Sequence, residues 1–118
     1  MSAGLTTHVL DISGGCPASG VRIDLFLLQD GKSQLLRTEW TNADGRVHGA
    51  MLGGEGFKSG VYELVFHVGD YFRGRGVELA EPAFLDQVPI RFGISDPAAH
   101  YHVPLLIAPW GYNTYRGS

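Results

Sequence analysis

Two histidines of this sequence stand where an imidazole can act as an acid or a base. His8 in the segment LTTHVLD and His102 in the segment YHVPLL each lie beside leucine rather than beside charged residues. An imidazole held in a partly dry site near a cation stays neutral at pH 7 and can accept a proton. We therefore interpret His8 and His102 as candidate catalytic residues, with interface packing or surface exposure as the alternative.

The five histidines of the chain also raise the question of a metal site. The sequence contains neither an HExxH motif nor paired CxxC motifs, so we expect no bound metal. His100 and His102 share one face of a predicted strand and are able to chelate an ion in principle, which keeps the metal alternative open. His48, His67 and His100 are interpreted as surface or interface histidines.

Three further side chains carry groups that suit such chemistry, but their patterns alone assign none of them to a site. Arg46 directly follows an Asp-Gly turn, where its guanidinium can lean into a site as a partner for an anion or oxyanion, although an arginine after a turn is more often only solvated. Tyr115 by its pattern is a strand residue. Ser118 offers a hydroxyl, but no GxSxG motif marks it as an activated nucleophile.

Strands must hold these side chains in place. In the segment 101–108 alternate residues, from Tyr101 to Ile107, form an ordinary core face. The opposite face mixes His100 and His102 with Pro104 and Leu106. That mixture suits neither core nor solvent, and it predicts a surface that another chain covers or that lines a cavity.

The rest of the chain reads as short strands separated by turns rich in glycine and proline. Segment 61–68 is among the clearest, with Tyr62 and Phe66 on its core face and His67 outward. Pro89 places the run 84–94, which starts at Phe84, at a sheet edge or a bulge. The other extended segments are 5–12, 21–29, 33–41, 46–48 and 112–116. About eight strands and no helix of normal length predict an all-β, two-sheet antiparallel β-sandwich.

The composition bounds the class of protein. A chain of 118 residues with 44% hydrophobic and 18% charged residues is predicted to form a single domain over residues 1–118. We expect no membrane span, since no apolar run approaches about 20 residues, and no nucleic-acid partner, since the net charge is −3. Cys16 is the only cysteine, and the N-terminal segment lacks a signal pattern. We therefore expect a cytoplasmic protein, unless an export signal has already been removed.

Three segments together resemble one known family. They are LTTHVLD at 5–11, TNADGRV at 41–47 and YHVPLLIAPWGYNTYRGS at 101–118. The sequence is similar to the transthyretin-like proteins and, within them, to the 5-hydroxyisourate hydrolases of purine breakdown. The ending TYRGS is the most specific signal, because the hormone-carrying transthyretins lack it.

The resemblance implies a fold, an assembly and a reaction. The expected fold is an eight-stranded sandwich with one short helix at about 70–75, and the expected assembly is a homotetramer, a dimer of dimers with sites in the channel between them. The expected reaction is hydrolysis of 5-hydroxyisourate to 2-oxo-4-hydroxy-4-carboxy-5-ureidoimidazoline in urate catabolism, with no cofactor. The resemblance assigns catalysis to His8, Arg46, His102 and Ser118, and substrate contact to His8, Arg46 and Tyr115.

Two other functions compete with this one. The first is a transthyretin-like carrier that binds a small ligand in the same channel without reaction. The second is a β-sandwich interaction module whose histidine face is covered by a partner protein. Two imidazoles and an arginine facing one small pocket favour the hydrolase, because a carrier has no need of them.

Overall fold

The computed structural model describes residues 3–118, and its regular secondary structure is mostly strands. It has eight strands and one α-helix, with a single 3₁₀ turn at Gly54–Gly56. In chain order the elements are β1 (Gly4–Asp11), β2 (Cys16–Pro17), β3 (Arg22–Gln29), β4 (Lys32–Trp40), β5 (Gly60–His67), α1 (Val68–Gly74), β6 (Gln87–Ile94), β7 (His100–Ala108) and β8 (Gly111–Thr114).

The strands form two sheets of four. The first sheet has the order β2-β1-β7-β8 and the second the order β4-β3-β5-β6. The predicted two-sheet sandwich with one short helix is therefore confirmed. One part of that prediction was too simple, because β1 and β7 pair in parallel. Parallel neighbours need a long connection, and here the whole second sheet lies between them in the chain.

The core lies between the sheets and follows the period-two pattern. On β7 the side chains of Leu105 and Ile107 are completely buried, and on β1 so are Leu5 and Val9. Burying each such aliphatic side chain contributes about 1.5–3 kcal/mol. Thr7, a buried polar residue between Leu5 and Val9 on this face, donates its hydroxyl to the carbonyl of Val103 at 2.7 Å. This packing fixes which face of β1 and β7 points outward.

Two predictions for the second sheet were wrong. His67 is only 9% exposed, rather than outward in solvent, and its Nε2 lies 2.8 Å from the Asp24 carboxylate. Asp24 also accepts a hydrogen bond from Thr38. The hydrogen bonds between His67 and Asp24 and between Thr38 and Asp24 replace those with water, so these polar side chains can be buried. Phe84 is 76% exposed and precedes β6, because that strand begins only at Gln87. Pro89 lies in β6 at the sheet edge, as predicted.

Two short segments differ from the sequence prediction, one by forming a strand and the other by not forming one. Residues Cys16–Pro17, which fall in one of the glycine- and proline-rich turns between the predicted strands, pair with the end of β1 as β2. The segment after the Asp-Gly turn, predicted as a short extended piece, forms only an isolated bridge between Arg46 and His8. Both segments are too short for periodicity to reveal their pairing, and contacts with β1 decide it.

The helix α1 lies where a short helix was expected, near 70–75. Its Tyr71 and Phe72 are buried, and the Tyr71 hydroxyl donates to the Asp11 carboxylate at 2.9 Å. Burial raises the pKa of Asp11, but hydrogen bonds from Ser13, the Gly14 amide and Tyr71 outweigh it and hold that pKa below its usual value. Within residues 3–118 no helix is long and apolar enough to cross a lipid bilayer.

Candidate active site

The outward face of the parallel β1–β7 pair carries most of the candidate residues. The strand register places Thr6 opposite His102 and His8 opposite Pro104. Since the alternate residues of both strands fill the core, these side chains point to the other face of the sheet. There Thr6, His8 and His102 are half-buried. The sequence pattern of 101–108 predicted this face correctly.

A tight turn places Arg46 against the same strand. The Asn42 side chain accepts hydrogen bonds from the amides of Asp44 and Arg46, and the Gly45 carbonyl accepts one from the Val9 amide. Gly45 has φ of 75° and lies so close to β1 that a Cβ atom would clash with the Val9 carbonyl. Only glycine fits this position. The turn therefore holds Arg46 beside His8, with which it forms the isolated bridge.

The C-terminal tail closes over His102. The Gly117 amide donates to the His102 carbonyl at 2.8 Å. The Arg116 guanidinium lies 4.1 Å from the centre of the Tyr101 ring and donates to the His100 carbonyl at 3.3 Å. A cation stacked on an aromatic ring contributes about 0.5–2 kcal/mol, so Arg116 anchors the tail.

A pocket of about 340 Å³ forms where these elements meet. That volume lies at the lower end of the range for small-molecule sites. It is lined by Thr6, Thr7, Arg46, Val47, Gly49, His100, His102 and Ser118. The structure thus brings Arg46, His102 and Ser118 to one pocket, with His8 paired to Arg46 on the same strand face.

The two candidate imidazoles have different environments. His102 Nδ1 lies 2.8 Å from the Thr6 hydroxyl, and His8 Nε2 lies 2.8 Å from the Asp44 carbonyl. Burial lowers the pKa of His102, and the positive charge of Arg46 lowers it further, with smaller contributions from His100 and His8. His102 is therefore held neutral at pH 7. The arrangement offers neutral imidazole beside a fixed cation, which suits attack of water on a polarised carbonyl.

Tyr115 lies apart from this pocket. It is 59% exposed and borders a second pocket of about 310 Å³, which opens between the sheets at the edges of β6 and β8. Within one chain, the structure does not bring Tyr115 to the pocket of His102. The reason is the path of the tail after β8 ends at Thr114: Tyr115 and Arg116 both border the pocket between the sheets, whereas Gly117 pairs with His102 and Ser118 enters the candidate site.

The sequence assigns no role in the site to Thr6 and His100, and Gly117 enters it there only as part of the ending TYRGS. Thr6 bridges the two imidazoles of β7, and His100, which was interpreted as a surface or interface histidine, lines the pocket. Gly117 packs against the ring of His102 so closely that an added Cβ would lie 2.6 Å from Cδ2. Thr6 shares its strand face with His8 at a spacing of two, and this signal was available in the sequence. The contact of Gly117 was not, because it depends on the turn of the tail.

The histidine pair of β7 does not form part of a larger cluster of metal ligands. The rings of His100 and His102 stack with centroids 6.3 Å apart, and each directs one nitrogen to Thr6. In the part of the chain that the structure describes, no three His, Cys, Asp or Glu side chains group closely enough to share a metal ion.

Fold and site together define a transthyretin-type β-sandwich that carries a histidine–arginine pocket on the outer face of one sheet. The chain belongs to the HIUase/Transthyretin family, whose model matches residues 5–117. It is 60% identical to 5-hydroxyisourate hydrolase 2 of Rhizobium meliloti, over 99% of this chain and 98% of that one. It is 57% identical to 5-hydroxyisourate hydrolase of Pseudomonas aeruginosa, over 97% and 90% of the two chains.

Solved structures show the same relationship. The crystal structure of (S)-allantoin synthase matches with a TM-score of 0.89 and 44% identity, over 100% of this chain and 46% of that one, so this chain spans about half its length. Klebsiella pneumoniae 5-hydroxyisourate hydrolase matches over 100% of both chains, with a TM-score of 0.79 and 39% identity. Sea bream transthyretin in complex with thyroxine matches over 96% and 93%, with a TM-score of 0.84 and 27% identity.

Proposed function

We propose that this protein is a hydrolase that opens the six-membered ring of 5-hydroxyisourate to give 2-oxo-4-hydroxy-4-carboxy-5-ureidoimidazoline. The observation that carries the proposal is the shared pocket of Arg46, His102 and Ser118 beside His8. Relatives at 60% and 57% identity bear the name 5-hydroxyisourate hydrolase and align over almost the whole chain. This likeness supports the same substrate here.

The reaction requires water to attack a lactam carbonyl. The water oxygen forms a bond to the carbonyl carbon and loses a proton, and the ring C–N bond then breaks with its electron pair passing to nitrogen, which takes up a proton. We assign the proton transfers and the positioning of water to His8 and His102. A positioned acid or base of this kind contributes about 10²–10⁴-fold to the rate. No step calls for an added cofactor.

Arg46 has an electrostatic part in this proposal. Its guanidinium would bind the electron-rich ring of the substrate and stabilise the negative charge that develops on the carbonyl oxygen. It also favours the neutral form of His102, since it lowers the pKa of that ring. Ser118, which lines the pocket with both residues, would orient the water or an imidazole.

We further propose that the protein assembles as a homotetramer with the pocket in the channel between dimers. The supporting observation is the outer face of the first sheet, where the half-buried Leu10 and Leu106 lie opposite each other next to the site and the nearby Trp110 is 75% exposed. A second subunit on this face would cover that apolar surface. Tyr115 would then contact substrate only if a neighbouring subunit completes the site. Light scattering coupled to size exclusion measures the mass, and a monomer would contradict this assembly.

A spectrophotometric assay tests the reaction directly. Freshly generated 5-hydroxyisourate decays spontaneously, and the protein should accelerate that decay. The variant His102→Asn should keep its fold while turnover falls by about 10²–10⁴-fold. Decay at the spontaneous rate with the native protein would eliminate the hydrolase and leave the carrier, and near-native turnover in His102→Asn would remove His102 from the mechanism.

A further inference from the structure

The hydroxyl of Thr6 joins two imidazoles in one hydrogen-bonded chain. Its Oγ1 lies 3.0 Å from His100 Nε2 and 2.8 Å from His102 Nδ1, in partly buried surroundings. A hydroxyl carries one proton, so it can donate to only one of the two rings, while its lone pairs accept from the other. The direction of donation along this series of hydrogen bonds therefore depends on which imidazole nitrogen holds a proton.

The burial of His100 Nδ1 decides which way the hydrogen bonds run. Its Nδ1 is buried and has no hydrogen-bond partner among the described residues. A proton on this nitrogen would leave a buried donor unpaired, at a cost of about 1–3 kcal/mol, and orphaned N–H groups are rarer than under-satisfied acceptors. Neutral His100 therefore carries its proton on Nε2 and donates it to Thr6. The distance of 3.0 Å is that of an ordinary N–H···O bond.

The proton of the Thr6 hydroxyl is then free for His102. It is donated to His102 Nδ1, which lies 2.8 Å from the Thr6 oxygen. An acceptor at Nδ1 places the single proton of neutral His102 on Nε2. That nitrogen is the one left for water or substrate, since Nδ1 is occupied and the ring lines the pocket.

His8 is held in the same Nε2–H tautomer as His102, but its hydrogen bond engages Nε2 rather than Nδ1. Its Nε2 lies 2.8 Å from the backbone carbonyl of Asp44. Because a carbonyl only accepts, Nε2 carries the proton and Nδ1 keeps the lone pair. The two imidazoles thus differ: His8 is able to accept a proton, whereas neutral His102 is able to donate a hydrogen bond.

We propose that Thr6 and His100 are positioning residues that hold His102 as the Nε2–H tautomer, so that His102 binds the developing oxyanion and His8 acts as the base. The inference rests on the proposed hydrolysis. His8 Nδ1 takes the proton of the attacking water and returns it to the ring nitrogen as the C–N bond breaks. His102 stays neutral throughout and, with Arg46, donates to the carbonyl oxygen, as a neutral imidazole does in other enzymes that polarise carbonyls.

Nitrogen NMR of labelled protein tests the tautomer without turnover. At neutral pH the His102 ring should show the pattern of a proton on Nε2, and Thr6→Val should convert it to a mixture or to the Nδ1–H form. Thr6→Ser keeps the hydroxyl and should keep the native pattern. A proton on Nδ1 of His102 in the native protein would overturn the proposal, as would an unchanged His102 spectrum in a folded Thr6→Val variant.

Kinetics of matched variants supply the second measurement. Thr6→Val should lower kcat by about 10- to 100-fold, the loss typical of removing a group that orients a site histidine, with little change in KM. Thr6→Ser should restore kcat. His100→Gln retains an N–H near the position of Nε2 and should stay close to native, whereas His100→Leu should lose as much as Thr6→Val. Equal kcat in the Gln and Leu variants would refute the part assigned to His100.

The two proposals fail separately. If the native protein does not accelerate decay of 5-hydroxyisourate, the hydrolase is excluded while the NMR result still decides the tautomer of His102. If the protein is active but His102 carries its proton on Nδ1, the hydrolase stands and the roles of Thr6 and His100 fall.

Discussion

Replacing Gly117 by alanine should damage the candidate site through a single methyl group. A Cβ atom at this position would lie 2.6 Å from Cδ2 and 3.3 Å from Cγ of His102. Carbon atoms in contact rest about 3.5–4.0 Å apart, so the ring or the tail must move by roughly 1 Å. Gly117 does not have a positive φ, so backbone strain adds nothing to this effect.

A displacement of that size predicts the magnitude of the loss. Misplacing a reacting group by about 1 Å costs on the order of 10²-fold in rate, which corresponds to roughly 2.7 kcal/mol of transition-state stabilisation. If the tail yields instead of the ring, the bond from the Gly117 amide to the His102 carbonyl breaks and Ser118 leaves the pocket. Either movement separates groups that the proposed reaction needs together.

The assay compares two glycines of the same C-terminal segment. Gly111 lies in β8, and a Cβ atom there would meet nothing within 4 Å. We expect kcat/KM for 5-hydroxyisourate to fall about 100-fold in Gly117→Ala and to stay within about threefold of native in Gly111→Ala, with similar melting temperatures for both. Native kcat/KM in Gly117→Ala would refute the contact with His102. An equal loss in Gly111→Ala would show that the segment, rather than that contact, is at fault.

Three further predictions concern the tail, the titration of the site and the core. Deleting residues 116–118 should depress activity more than thermal stability, and the reverse outcome would favour a purely structural tail. Arg46→Gln removes a positive charge that lowers the pKa of His102, so an NMR titration should give a higher pKa for His102 than in the native protein, and an unchanged value would contradict that coupling. Tyr71→Phe removes one hydrogen bond from the buried Asp11 carboxylate and should lower the free energy of unfolding in urea by about 1–3 kcal/mol, with native kcat; unchanged stability would refute the importance of this bond.

The sequence predicted the strands well where alternation is long. Segments such as 61–68 and 101–108 were assigned to strands within a residue or two of β5 and β7, because a regular alternation over eight residues has few other interpretations. The predicted run 84–94 starts too early at Phe84, since alternation continues by chance beyond the start of β6 at Gln87. His67 was assigned to solvent because its partner Asp24 lies 43 residues away in the chain.

The candidate site, too, was predicted in part from the sequence and decided in part by the structure. The motif around Arg46 predicted the turn, and the odd face of 101–108 predicted that His102 faces outward beside a covered surface or cavity. The pattern gave no reason to prefer Ser118 over Tyr115, and the structure brings only Ser118 to the pocket of His102 within one chain. Catalytic roles for His8, Arg46, His102 and Ser118 stay predictions.

The sequence by itself determined the all-β class, the two-sheet sandwich and the outward face of His8 and His102, because each follows from the period-two geometry of a strand and from local turn chemistry. Only the tertiary structure decided the parallel pairing of β1 with β7, and with it the position of Thr6 between two imidazoles. The hydrogen bonds of Thr6 join residues more than 90 positions apart, and the alternation within either strand cannot predict such contacts. The tautomer of His102, on which the proposed mechanism turns, arises from one such contact.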